Sequence, residues 1–282
     1  MIDPKDVTVI IPHLGATMEQ TEALVDCLIS LEETFSGPII VVSNGDHVTA
    51  RELTKYTNLL SKRGNMSTIH LDLQGQCKAV NAAAATVNTP WIFVTNDDMV
   101  FSKTWWDKLN VSRQDRLCIS PRLVEPRKGA PTFIEYFCGG AGGDFDKQKF
   151  EDFVKDNDAP AVVRDGFNLP FLISKELWDT IGGYDINYDP WGSNSDSDLE
   201  YKIRLAGVQP YQSMYSFVYH FSQTSGTFEP RNQEYWQKNW DYFISKWGFP
   251  RTDEGIWEAN FKIPTVGEGR VFTPEWEGKY GS

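Results

Sequence analysis

The chain has 282 residues, 40% of them hydrophobic, enough to bury a full core in one large α/β domain, with or without a tail. Acidic residues outnumber basic ones, 39 to 27, for a formal net charge of -12. That balance argues against a main surface built to hold nucleic acid, whose phosphates recruit Lys and Arg, but leaves room for a small pocket that takes one diphosphate. Cys27, Cys77, Cys118 and Cys138 form no Cys-x-x-Cys pair and no metal-ligand spacing, which reads as reduced thiols. The first residues carry no basic leader followed by an apolar run, and no stretch is long and apolar enough to span a bilayer. The expected location is cytoplasmic.

Val7-Thr8-Val9-Ile10-Ile11-Pro12 is a β-branched run closed by proline, the pattern of a buried parallel strand. Leu24, Cys27, Leu28 and Leu31 recur at helical spacing, predicting a helix from Met18 to Leu31. Ile39 to Val42 is a second strand, ended by the turn Ser43-Asn44-Gly45-Asp46. A helix over about 49–62 and a strand over 67–72 follow, then the loop Gln74-Gly75-Gln76, a small-residue helix over 77–86 and a strand over 91–95. Strands alternating with helices predict a Rossmann-like parallel sheet.

After residue 100 the alternation loosens. Strands are expected at 117–120, 133–137, 167–174 and 216–221, and helices at 175–181 and 198–206. Gly139 to Gly143 must be a turn or loop, and 144–158 reads as an acidic, exposed segment. Trp236, Trp240, Phe243, Ile244 and Trp247 form one helical stripe without the basic face of a membrane binder, so a helix docked on its own domain is expected. The remainder, from Gly248, reads as a tail wrapped on the surface.

The chemistry concentrates in Asn96-Asp97-Asp98, directly after a buried strand. In an open α/β sheet ligands bind beyond the carboxyl ends of the strands. Adjacent carboxylates repel unless a cation or a hydrogen-bond donor offsets them, and hard divalent cations take one or two carboxylates plus water and phosphate oxygens. Alone, the triplet is equally a strand-ending turn.

It occurs, however, in an ordered series. The opening strand to Pro12, the turn after Val42, the run Gln76-Cys77-Lys78-Ala79-Val80-Asn81, the Asn96-Asp97-Asp98 triplet, Pro121-Arg122-Leu123, Gly182-Gly183-Tyr184-Asp185 and Asp196-Ser197-Asp198-Leu199 follow one another over residues 7–222. In this series the chain resembles the family 2 glycosyltransferases. The resemblance implies a GT-A fold, with residues 1–228 as the glycosyltransferase domain (1–100 holding the nucleotide, 101–228 the acceptor) and 229–282 as a C-terminal helix and tail. It implies transfer of a sugar, with inversion, from a nucleoside-diphosphate sugar (a UDP-sugar first) to a glycan, lipid-linked or small-molecule acceptor, assisted by Mn²⁺ or Mg²⁺.

The same resemblance distributes roles. Asp98 and His220 are expected at the metal, and Pro12, His13, Asn44, Gln76, Lys78, Asn81, Asn96 and Asp97 around the nucleotide sugar. Asp196 is expected as the general base, since a sugar hydroxyl is a poor nucleophile until a carboxylate takes its proton. Trp191 and Asp198 are expected on the acceptor side. The sequence departs from the family at Ser43-Asn44, where an Asp is usual, at Lys78, where Arg is common, and at Ser195, which stands where Glu is common. His220 is equally a half-buried strand residue, and Asp198 equally a helix cap.

Three other readings compete with this one. A sugar nucleotidyltransferase needs a Gly-rich loop after the first strand, where Leu14-Gly15-Ala16-Thr17 has one glycine. A catalytically silent sugar-binding relative has no use for Asp196. A glycosyltransferase acting on modified DNA bases needs a basic groove, against which the charge balance speaks.

Overall fold

A computed structural model of the chain describes residues 1–15, 17–44, 47–71, 75–127, 133–222 and 230–247. The expected surface tail from Gly248, the turn residues Gly45 and Asp46, and Gln74 lie outside the described residues.

β1 (Val7–His13), β2 (Ile39–Ser43), β3 (Met66–His70) and β4 (Trp91–Val94) pair in parallel in the order β3-β2-β1-β4. Alternation sends Val9, Ile11 and Val41 to one face and Ile10 and Val42 to the other. Both faces are covered, which is why the sequence shows unbroken β-branched runs. α1 (Met18–Thr34) packs on the first face through Leu24, Cys27, Leu28 and Leu31. Thr17 caps it, its hydroxyl accepting from the Gln20 amide at 3.2 Å. α3 (Gln76–Thr86) packs on the second face through Cys77, Val80, Ala83 and Ala84, whose small side chains let helix and sheet approach closely. α2 (His47–Leu60) lies against β3.

The second half extends the sheet as β4-β9-β6-β10-β5. β5 (Met99–Phe101) follows the acidic triplet, then α4 (Trp105–Arg113) and β6 (Cys118–Glu125). β7 (Ile134–Glu135) pairs with β6, and β8 (Val163–Asp165) with β10 (Tyr211–His220). β9 (Phe171–Ser174) runs antiparallel between β4 and β6. Two reversals restore β6 and β10 to the direction of β4, so their carboxyl ends reach the same edge as those of β1 and β2. The sheet is mixed rather than a pure parallel Rossmann sheet, because β5, β8 and β9 reverse direction.

Several local expectations are corrected. The segment expected to be exposed and acidic contains α5 (Lys147–Asp156), which buries Phe150, Phe153 and Val154 against Phe217 and Tyr219. The last strand begins at Tyr211 rather than residue 216, with a register shift between Gln212 and Phe217. α6 (Lys175–Ile181) falls where expected. α7 (Ser195–Leu205) starts three residues before the expected Asp198, from Asn194 in the left-handed region (φ 67°).

α8 (Gln233–Trp247) docks on this domain. Phe243 and Trp247 are buried, and Trp247 packs edge-on to Tyr201 of α7, centroids 5.0 Å apart. An interior ion cluster reinforces the contact. Lys246 Nζ lies 2.7 Å from Asp185 and 2.6 Å from Asp198, and Lys202 donates to the Gly183 carbonyl and lies 3.8 Å from Asp198. All four side chains are nearly solvent-free, and burial lowers the Lys202 pKa to about 7, so Lys202 is only partly charged at neutral pH. Among the described residues no helix is long and apolar enough to cross a membrane.

Candidate functional site

Parallel pairing fixes where the polar strand ends meet. His13 ends β1 in register with Ser43 of β2, and the Asn44 amide donates to the His13 carbonyl at 2.8 Å. Thr95 donates to Ile10, so Asn96-Asp97-Asp98 emerges beside His13. These residues line one cleft of about 370 Å³, whose lining includes Pro12, His13, Asn44, Gln76, Asn96, Asp97, Asp98 and Trp191. Eight of the thirteen side chains expected in the site therefore converge there, from the carboxyl ends of three strands, the start of α3 and the loop before α7.

Each is held by a specific contact. His13, 2% exposed, shares a hydrogen bond of 2.6 Å between its Nδ1 and Asp97 Oδ2. Burial pushes the Asp97 pKa up; the bond to His13 opposes that, and neighbouring Asp98 adds to the rise. Asn44 Oδ1 accepts from the Gly75 amide at 3.0 Å, tying the β2 end to the loop before α3. Gly75 has φ 108°, and a Cβ there would lie 2.2 Å from the Asp189 carboxyl carbon, so no side chain fits. Gln76 Nε2 reaches Asn96 Oδ1 at 3.4 Å.

Asp189 went unnoticed in the sequence. Its carboxylate accepts from the backbone amides of Cys77 (2.8 Å) and Lys78 (3.0 Å), so it occupies the positive end of α3. Burial nevertheless raises its pKa, against the lowering effect of those bonds. The loop it anchors carries Pro190 and Trp191 into the cleft. Asn232 and Tyr235, from the start of α8, also line the cleft and were not foreseen.

Asp98 and His220 are brought together by pairing that sequence alone did not reveal. β10 runs antiparallel to β5 with His220 opposite Met99, so His220 adjoins Asp98. β10 also runs parallel to β6 with Tyr219 opposite Val124, which puts Glu125 beside His220. His220 Nε2 lies 3.3 Å from Asp98 Oδ2, and its Nδ1 lies 2.6 Å from Glu125 Oε1. Burial disfavours the imidazolium, but Asp98 and Glu125 outweigh it and raise the His220 pKa to about 10. Among the described residues no group of three or more His, Cys, Asp or Glu side chains is placed to hold a metal ion. A divalent cation bound at Asp98 would take the place of the His220 Nε2 proton, with water and phosphate oxygens completing its shell. A carboxylate on Nδ1 is the usual support for a histidine that ligates through Nε2.

The remaining expected residues lie outside the cleft lining. Lys78 sits two residues into α3, its backbone amide held by Asp189. Asn81, expected at the nucleotide, bonds the Tyr184 backbone: its Oδ1 accepts from the Tyr184 amide at 2.9 Å and its Nδ2 donates to the Tyr184 carbonyl at 2.8 Å. Both ends of its side chain thus brace the Gly182-Gly183-Tyr184 turn. Asp198, expected on the acceptor side, is fully buried and accepts from Lys246 and Trp247. Asp196 is half-buried on the first turn of α7, and its Oδ1 accepts from the Tyr184 hydroxyl at 2.7 Å.

The curled, mostly parallel sheet with helices on both faces is the GT-A glycosyltransferase fold. Among solved structures of this fold, GalNAc-T7 crystallised with UDP, GalNAc and Mn²⁺ superposes with a TM-score of 0.57 at 15% identity, over 76% of this chain and 43% of that one. The mannosyltransferase PcManGT from Pyrobaculum calidifontis, in complex with GDP-Man and Mn²⁺, gives 0.57 at 13% identity, over 87% and 66%. S. aureus TarS 1-349 gives 0.52 at 14% identity, over 88% and 73%. The chain thus spans less than half of the GalNAc-T7 chain. No protein-family model and no curated protein matches the sequence.

Proposed function

We propose that this chain is an inverting glycosyltransferase of the family 2 type, moving a sugar from a nucleoside-diphosphate sugar to an acceptor hydroxyl. The observation that carries the reading is the convergence of His13, Asn44, Asn96, Asp97 and Asp98 in one cleft at the carboxyl ends of β1, β2 and β4. On this reading residues 1–100 hold the nucleotide and 101–228 the acceptor. Asn44, Pro12 and the His13–Asp97 pair face the nucleoside, and Gln76 with Asn96 forms the floor beneath the diphosphate and sugar.

Asp98 and His220 would hold Mn²⁺ or Mg²⁺. When bound, the ion offsets charge on the departing nucleoside diphosphate. Glu125 fixes the His220 ring, and the Phe221 amide donates to the Asp98 carbonyl at 3.0 Å, holding the two side chains in place. Asp196 takes the proton of the acceptor hydroxyl as that oxygen bonds to the anomeric carbon, from the face opposite the leaving group. Trp191 and Tyr235 supply aromatic faces for a glycan, lipid-linked or small-molecule acceptor.

A thermal-shift panel of UDP, GDP, ADP and CDP, with and without Mn²⁺, tests the reading directly. A ligand that binds only the native state raises Tm. UDP is expected to stabilise the chain with Mn²⁺ and much less without it. If none of the four nucleotides shifts Tm in either condition, the cleft is not a nucleotide site.

A further inference from the structure

We infer that Asp189 is a positioning residue for the nucleotide sugar: by capping α3 from a distant loop, it locks Gly75 and Gln76 on one wall of the cleft to the wall that carries Trp191. The inference rests on the reading of the cleft as a nucleotide-sugar site. The contacts of Asp189 do not depend on that reading.

α3 starts without a cap of its own, because Gly75 has no side chain to accept from the first turn. Other elements take those amides instead. The Gly75 amide donates to Asn44 Oδ1 at 3.0 Å, and the Gln76 amide to the Pro190 carbonyl at 3.4 Å. The Cys77 amide donates to Asp189 Oδ1 at 2.8 Å and the Lys78 amide to Asp189 Oδ2 at 3.0 Å, across 112 and 111 positions of the chain. The Cys77 thiol, held protonated by burial, also donates to this carboxylate, and the charge of Lys78 favours it. Two oxygens facing two N–H groups suit a carboxylate. An amide side chain would turn its own N–H donors on one of them.

This clasp sets two walls of the cleft against each other. A Cβ on Gly75 would meet the Asp189 carboxyl carbon at 2.2 Å, and one on Gly192 (φ 71°) would meet Gln76 Oε1 at 3.0 Å, so the two loops approach through a glycine on each side. Gln76 Nε2 in turn reaches Asn96 Oδ1, beside the Asp97-Asp98 pair. Behind the loop, Asn239 of α8 donates to the Tyr188 carbonyl at 2.7 Å and to Ser193 Oγ at 3.0 Å. α8 thus fixes the ends of the loop, and Asp189 fixes its approach to α3. Gly75, Gln76, Pro190 and Trp191 all line the cleft, so the distance across it there is set by the carboxylate behind them.

Asp189→Ala removes both acceptors, and Asp189→Asn keeps the size but presents an N–H to one of the amides. In the full chain with Mn²⁺, at a temperature where circular dichroism shows each variant folded, calorimetry should give a UDP Kd about tenfold above wild type, the scale of a displaced supporting contact. Formate brings two carboxylate oxygens into the space that alanine vacates. It should restore most of the affinity of Asp189→Ala and none of that of Asp189→Asn, whose side chain fills the space, while chloride at equal concentration should restore neither. In ¹⁵N-resolved NMR the Cys77 and Lys78 amide protons should move upfield in Asp189→Ala and return with formate. If Asp189→Ala does not fold, Asp189→Asn carries the affinity test alone. An unchanged UDP Kd in a folded variant overturns the positioning role and leaves Asp189 a cap that only stabilises α3. An affinity loss in Asp189→Ala that persists while formate returns the two amide signals overturns it as well. Absence of UDP binding to the wild type, by contrast, overturns the reading of the cleft and this role with it, while the amide shifts leave the clasp itself standing.

Discussion

Lys246→Met tests the interior ion cluster that docks α8. Lys246 Nζ contacts Asp185 at 2.7 Å and Asp198 at 2.6 Å, and both carboxylates are at most 1% exposed. Methionine fills similar volume without charge, so packing is largely kept while Asp185 and Asp198 lose the cation they share, leaving only the partly charged Lys202 nearby. Removing one partner of a buried pair costs about 3–5 kcal/mol, because the charge left behind has lost its offset without regaining water. At about 2–4 °C per kcal/mol for a domain somewhat smaller than this one, Tm should fall by roughly 10 °C.

The pH dependence carries a second, independent sign. Burial alone would push Asp185 up, but Lys246 and the hydrogen bonds from Asn187 and Tyr242 hold it well below the usual carboxylate range. A carboxylate with a depressed folded pKa contributes stability that is present above its unfolded pKa, about 3.9, and is lost as pH falls toward the folded value. Without Lys246 the burial effect prevails and the Asp185 pKa rises, so the variant is relieved by protonation at acid pH. The difference in Tm between wild type and Lys246→Met should therefore be largest near pH 7.5 and shrink toward pH 4.5. Asp185→Asn added to Lys246→Met should recover part of the loss at neutral pH. Circular dichroism melts of the three variants at both pH values measure this. A Tm change of less than about 2 °C at pH 7.5, or a penalty equal at both pH values, would refute the reasoning.

The remaining predictions concern the cleft. Asp98→Ala should abolish the Mn²⁺-dependent part of UDP stabilisation in thermal shift, leaving the apo Tm within a few degrees of wild type; full Mn²⁺ dependence in the variant would remove Asp98 from the metal. Asp196→Asn should fold normally and lower turnover by roughly 10²–10⁴, and NMR of the wild-type product should show the inverted anomer; retention would end the proposed mechanism. Asn44→Ala removes the acceptor for the Gly75 amide, and it should raise the donor KM more than it lowers kcat. Steady-state kinetics showing only a kcat loss would place the nucleotide elsewhere.

Local pattern was most informative where local and global preferences agree. β1, β2 and β4 are buried on both faces, so their side chains are mostly apolar, β-branched in β1 and β2 and half aromatic in β4, and that run is visible without any partner. α1 shows its buried stripe at helical spacing for the same reason. The cleft was legible in turn because parallel strands present their carboxyl ends together. Once β1, β2 and β4 were recognised, His13, Asn44 and Asn96-Asp97-Asp98 had to meet. β5 and β8 escaped notice, being three residues long and strands only through their pairing with β10. α4 was missed because Trp105, Trp106 and Asn110 are buried around an irregular face, and α5 because its three buried apolar residues are scattered among charges.

By itself, then, the order of residues determined a Rossmann-like first half and the polar ends of its strands, since each depends on interactions within a few positions along the chain. Tertiary structure alone decided the partners across long separations. Glu125 reaches His220 through the β6–β10 register, Asp189 reaches the start of α3 from more than a hundred positions away, and Asp198 turns inward to Lys246. A lone Glu, Asp or Asn reads the same in sequence whether it faces substrate, caps a helix or braces a turn. Which of these it does is set by the group that desolvation places opposite it, and that group belongs to another element.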